Sequence, residues 1–216
     1  MKKFEHARDA LRYLIRAYNI KSIYLPYYLC DVMRHAVVEE KCKPIFYHID
    51  DNFMPVQEFP KSAYIVYPNY FGICDKNVDN LIELYPKLIV DNAHAYYAVP
   101  RGFASFNSAK KFLPVSDGAY LWIGNNKGLT LSDNKRYEQF MYYHKKLLDN
   151  QLKIDIQQNT VPFCYPYLAP TIKLADKLVE KLTKDGKTIY RYWNNLPKTY
   201  NEYKFYSRLV PIPLDE

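Results

Sequence analysis

Apolar residues recur at helical spacing over residues 4–18, where Phe4, Ala7, Leu11, Leu14, Ile15 and Tyr18 alternate with the charges of Arg8, Asp9, Arg12 and Arg16. That period predicts an amphipathic helix packed on a sheet. The next apolar runs are shorter and rich in β-branched and aromatic residues. They are 22–25, stopped by Pro26; 44–47; 63–67, stopped by Pro68; and 88–90, which stops at Asp91. Each reads as a strand. Helices are expected between them over 29–40 and, with Asn77 as cap, over 77–84. Residues 103–107 and 119–123 add two further strands. Strands that alternate with helices, several apolar throughout, imply an α/β fold, a three-layer sandwich around a mainly parallel sheet covered on both faces. Ligands of such sheets sit beyond the carboxyl ends of the strands. Here those ends lead into 91–94 and 105–110.

The last third has a different pattern. A polar helix is expected over 133–152, then a Pro- and Tyr-bearing connection over 162–167, and an amphipathic helix over 170–184 that Gly186 can end. The remainder, with Pro197, Pro211 and Pro213, reads as edge strand and loop. The chain therefore divides into a large α/β domain, 1–150, and a reduced C-terminal α+β segment, 151–216. No internal repeat is present.

Composition narrows the classes. Of 216 residues, 49% are hydrophobic and 25% charged, which fits a folded protein with one sizeable core and excludes a disordered or collagen-like chain. Tyr is over-represented at 23 against only 6 Gly, so there are few sites for phosphate-cradling glycine loops. The formal charge of +7 favours an anionic partner. The basic residues are spread out, which argues against a nucleic-acid tail. No apolar stretch is long enough to span a membrane, and the charged N-terminus is unlike a signal peptide; the expectation is a cytoplasmic protein. Cys30, Cys42, Cys74 and Cys164 lack metal-ligand spacing and read as reduced thiols, so no metal is expected.

Reactive side chains cluster after two strands, as Asp91-Asn92-Ala93-His94 and as Ser105-Phe106-Asn107-Ser108-Ala109-Lys110. With Asn69-Tyr70-Phe71-Gly72 before them and Asp117-Gly118-Ala119 after, these runs resemble, in order and separation, the motifs of the DegT/DnrJ/StrS-type sugar aminotransferases. That family uses pyridoxal phosphate on the aspartate aminotransferase fold to place amino groups on nucleotide-linked keto-sugars. The resemblance implies that Asp91 pairs with the pyridine nitrogen of the cofactor, where an anion keeps the nitrogen protonated and the ring an electron sink. It further implies that His94 lies near the phenolic oxygen and that Ser105 binds the phosphate. Lys110, seven residues before Asp117, forms the Schiff base and shuttles the proton. A homodimer, a nucleotide-sugar substrate, an amino-acid donor and a role in surface-polysaccharide (lipopolysaccharide or capsule) synthesis are implied as well.

The front of the chain departs from the family pattern. His6-Ala7-Arg8-Asp9-Ala10-Leu11 aligns with the turn that holds the cofactor phosphate at a helix N-terminus, which would involve Arg8 and Asp9. Ala7 stands where the family has Gly. Asp9 stands where it has a hydroxyl, and a like charge about 4 Å from a phosphate would cost about 4 kcal/mol at an effective dielectric near 20. Cys30 falls near the place of an aromatic residue that stacks on the pyridine ring, a role that Tyr27 or Tyr28 can fill. The chain is also shorter than the family's usual length. These departures keep a second reading open: a cofactor-free, non-catalytic descendant that binds a sugar nucleotide or a biosynthetic partner.

Overall fold

In the computed structural model, which describes residues 1–124, 134–157, 160–193 and 195–214, the chain enters on a short strand, β1 (Lys2–Phe4), and turns at once into α1 (Ala7–Ala17). The helix buries the stripe that the periodicity marks, Ala10, Leu11, Leu14 and Ile15. Each large side chain of such a stripe contributes roughly 1.5–3 kcal/mol when fully removed from water. Then follow β2 (Ser22–Pro26), α2 (Asp31–Glu39), β3 (Lys43–Tyr47), β4 (Ile65–Pro68), α3 (Asp75–Leu84), β5 (Leu88–Asn92), β6 (Ala104–Asn107) and β7 (Ala119–Ile123).

These strands form a seven-stranded sheet in the order β1-β7-β6-β5-β4-β2-β3. Pairings from β3 through β6 are parallel, and β7 runs antiparallel to both β6 and β1. Successive side chains of a strand face opposite sides, and both faces are covered. Ile89, Val66, Ala104 and Phe106 pack with α1 and α2 on one side. Leu88, Val90, Ile65 and Tyr67 face an aromatic-rich core on the other, with Val78 and Leu81 of α3. The middle strand β5 is buried at all five positions, so a fully apolar run ends on a buried Asp-Asn pair.

Several tyrosines turn out to be core material. Tyr28, Tyr47, Tyr67 and Tyr70 are fully buried. Three of the hydroxyls donate to backbone carbonyls: Tyr47 to Val66 O at 2.8 Å, Tyr67 to Phe53 O at 3.0 Å and Tyr70 to Tyr28 O at 3.0 Å. A phenol buried without such an acceptor would be destabilising.

The rest of the chain comprises α4 (Asn134–Lys146), β8 (Cys164–Leu168), α5 (Ile172–Lys184), α6 (Asn201–Tyr206) and β9 (Leu209–Pro213). β8 and β9 pair antiparallel as a second sheet. Phe140 of α4 packs with that sheet and with α5. Thr171 caps α5 by accepting from Leu174 N at 3.2 Å. The expected helix over 133–152 is therefore shorter, with Asp133 outside the described residues. Asn77 does not cap α3, which begins two residues earlier. Its side chain instead donates to Asn52 O and to the Tyr67 hydroxyl. The Pro- and Tyr-bearing connection contains a strand, because Pro166 and Pro211 sit opposite one another in a two-stranded ladder where a lost donor is tolerated. Among the described residues no helix is long and apolar enough to cross a membrane.

Glu202 of α6 fastens this segment to the large sheet. It is fully buried and accepts from Ile49 N at 2.9 Å, with His48 Nδ1 also 2.9 Å away. Glu202→Ala is expected to lower unfolding stability by about 2 kcal/mol, the usual worth of hydrogen bonds to a charged group, read as a reduced urea midpoint.

Candidate active site

The carboxyl ends of β4 and β5 lie side by side, and Pro68 and Asp91 are register partners. Beyond them the chain makes the turn that Asn69-Tyr70-Phe71-Gly72 encodes. Asn69 N donates to Asp91 O at 2.9 Å, and the Asn69 side chain accepts from Cys74 N at 2.9 Å while donating to Asn92 Oδ1 at 3.4 Å. Phe71 takes φ 53° and Gly72 φ 70°. A Cβ at Gly72 would lie 2.4 Å from the His94 carbonyl oxygen, so only glycine allows this approach.

A cavity of about 260 Å³ opens at these strand ends. Asp91, His94, Lys110 and Lys111 line one side, and His6, Ala7 and Arg8 at the start of α1 line the other. Cys30, at the N-terminus of α2, and Trp193 complete the wall. His6 makes no side-chain capping bond to α1. The first amides of a helix have no acceptor within the helix and carry the positive end of its dipole, so this wall suits an anion.

Asp91 is buried, and its Oδ1 accepts from Ala93 N at 2.9 Å. Burial pushes its carboxyl up from the ordinary carboxylate range, while the Ala93 amide and the charge of Lys111 pull it back. Burial likewise pushes the Lys111 ammonium down, countered by the charge of Asp91. No ion pair joins the two side chains among the described residues. Their charges act on one another through the cavity they share.

His94 is 3% exposed, and neither ring nitrogen has a partner. Its ring is stacked between Phe163 (centroids 4.5 Å, planes 18°) and Trp193 (5.3 Å, 7°). Burial first, and then the nearby Lys111 charge, holds its pKa well below the ordinary histidine value. The imidazole is therefore neutral at pH 7, with one donor and one acceptor to offer. Buried unsatisfied nitrogens are rare in folded proteins and point to a bound group.

The residues singled out in the sequence are placed as follows. Asp91, His94, Lys110 and Arg8 line one cavity. Lys110 is exposed, whereas Lys111 is drawn inward. Ser105 is buried with an unpartnered hydroxyl but does not line the cavity. Asp9 is turned away: its carboxylate receives Arg12 Nη1 at 2.6 Å, and it faces a separate surface hollow with Glu39 and Glu40. The like-charge repulsion expected from Asp9 does not arise. Tyr27 and Tyr28 do not reach the cavity either. Tyr28 is fully buried in the core against Tyr70, and Tyr27 stacks on Phe46 and His48. The aromatic of the wall is Trp193, from the C-terminal segment. No local signal in the sequence marked Trp193 or Phe163, which lie far along the chain from His94.

No known sequence family matches this chain, and no curated protein does. Solved structures do. A DegT DnrJ EryC1 StrS aminotransferase from Brucella abortus superimposes with a TM-score of 0.72 at 14% identity, over 98% of this chain and 80% of that one. DesV from S. venezuelae, solved with a ketimine intermediate, gives 0.73 at 13% identity over 98% and 78%. Helicobacter pylori PseC, an aminotransferase of pseudoaminic acid biosynthesis, gives 0.69 at 16% identity over 98% and 80%. The chain has the α/β fold of these proteins.

The low pKa of His94 has a consequence for stability. Below the ordinary histidine value of 6.5 the unfolded chain binds a proton that the folded protein does not, so stability falls as pH drops. The loss is at most about 1.4 kcal/mol per pH unit. His94→Phe, which keeps the stacked ring, is expected to flatten the fall in urea midpoint between about pH 7 and about pH 5.

Proposed function

We propose that this protein is a pyridoxal-phosphate-dependent aminotransferase-like enzyme that moves an amino group from an amino-acid donor, glutamate by resemblance, to a nucleotide-linked keto-sugar for surface polysaccharide. The observation that carries the reading is a buried carboxylate, Asp91, and the adjacent amines of Lys110 and Lys111 lining one cavity at the strand ends. A buried carboxylate suits a protonated ring nitrogen, and a buried amine suits an aldehyde. The fold it shares with sugar aminotransferases supports the same reading.

The residues present suit the cofactor. Unpartnered His94 nitrogens, a cavity of about 260 Å³ and the open amides at the start of α1 are three independent features that a phosphorylated aromatic aldehyde would satisfy. Pyridoxal phosphate, when bound, supplies an electron sink and a carbonyl carbon. Asp91 would keep the ring nitrogen protonated. Arg8 and the amides of Ala7 and Arg8 would hold the phosphate, aided by the positive end of α1. Neutral His94 would donate or accept one hydrogen bond at the ring. Phe163 and Trp193 would exclude water from that side and strengthen each electrostatic contact. The cofactor-free alternative rests on Ala7, Asp9, Cys30 and the short chain, and of these the charge of Asp9 is directed to Arg12 instead. We read the protein as a homodimer, again by resemblance.

Purified protein titrated with pyridoxal phosphate is expected to gain a visible absorbance band that glutamate bleaches. Asp91→Ala is expected to slow that bleaching by about a hundredfold or more, the usual cost of removing one oriented charge from a reacting site. A titration without any new band sinks the reading and leaves the cofactor-free one.

A further inference from the structure

We propose that Lys111, and not Lys110, is the amine of this cavity that condenses with the aldehyde of the cofactor. The proposal rests on the reading above. Spacing from Asp117 favours Lys110, but the geometry of the turn that carries both lysines favours its neighbour.

That turn is a short 3-10 segment, Ala109–Lys111, pinned from both sides. Ala109 N donates to Gly118 O at 2.8 Å, and Gly118 N donates to Glu5 O at 2.8 Å, which ties the lysines to the start of α1. Phe112 N and Leu113 N both donate to Ala109 O at 2.9 Å, closing the turn. With its backbone fixed, the two side chains diverge. Lys110 lines the cavity but is exposed to solvent. Lys111 turns inward, with Nζ 5.8 Å from the Phe163 ring centroid and within electrostatic reach of Asp91, His94 and Cys30.

Lys111 also lines a second cavity of about 230 Å³, together with Arg136, Phe163, Tyr190 and Tyr192. Lys111 is therefore common to the lining of both cavities. In the condensation the Nζ lone pair adds to the aldehyde carbon, a C=N bond forms, and the aldehyde oxygen leaves as water with both amine hydrogens. No electron is gained or lost. The step needs an uncharged amine, and burial, the largest influence on the Lys111 ammonium, favours one.

The test is reductive trapping on the wild-type protein, which needs no variant to fold. Protein treated with pyridoxal phosphate and then borohydride is cleaved without trypsin, and fragment ions that separate the adjacent residues show which lysine carries the pyridoxyl mass. At neutral pH the label is expected on Lys111 in roughly tenfold excess over Lys110, because the partly buried Lys111 side chain is held against the cavity while Lys110 is exposed. Lys110→Gln is expected to keep the label and the visible band, and Lys111→Gln to lose both. Label concentrated on Lys110, or a band that survives Lys111→Gln, overturns this assignment and leaves the proposed function standing. Absence of both label and band overturns the two together. Equal labelling of many surface lysines with no band has the same meaning, because it shows aldehyde chemistry without a site.

Discussion

A carboxylate at the end of a wholly buried strand is the constraint around which this molecule is arranged. β5 carries Leu88, Ile89 and Val90 through the centre of the sheet, and the next residue in the same strand is Asp91. Burying an uncompensated charge there would be strongly unfavourable. The compensation comes from two directions: the Ala93 amide from the following turn and Lys111 from the turn after β6. Each of these needs its own support. The Asn69 turn holds β4 against β5, Gly72 lets the backbone close over His94, and Gly118 ties the lysine turn to the entry of α1. The polar site and the apolar core thus specify one another.

Burial also explains the composition. A sheet with one face packed by aliphatic helices and the other by rings needs side chains large enough to fill the second layer, and few glycines are compatible with that density. Tyrosine fills it where a buried hydroxyl finds a backbone carbonyl, as those of Tyr47, Tyr67 and Tyr70 do. Such an acceptor costs no further side chain.

Most of the sheet was legible in the sequence, since helical and strand periods are local properties and the punctuating residues Pro26, Pro68 and Asp91 stand at or beside strand ends. The strand β1 was not. Three residues paired on an edge leave no period to read, and Phe4 equally fits the helical stripe. Asn77 looked like a cap because its type favours one, yet a hydrogen bond to a distant tyrosine outweighed local preference. At the site, Asp91 and His94 were marked by their place after an apolar run. The direction of Asp9 was not, because alignment fixes a position along the helix but not the rotamer, and Arg12 one turn later captures the carboxylate.

The pair Lys110-Lys111 shows the same limit in sharper form. Two identical side chains in succession are chemically indistinguishable in a sequence, and a spacing rule can choose between them only if the turn keeps the same geometry in every relative. Here the turn is set by hydrogen bonds to Gly118 and from there to Glu5. The backbone of the turn is thereby tied to the edge where β1 meets β7. The identity of the inward amine is thus a property of the edge pairing Phe4 with Ala119 as much as of the motif itself.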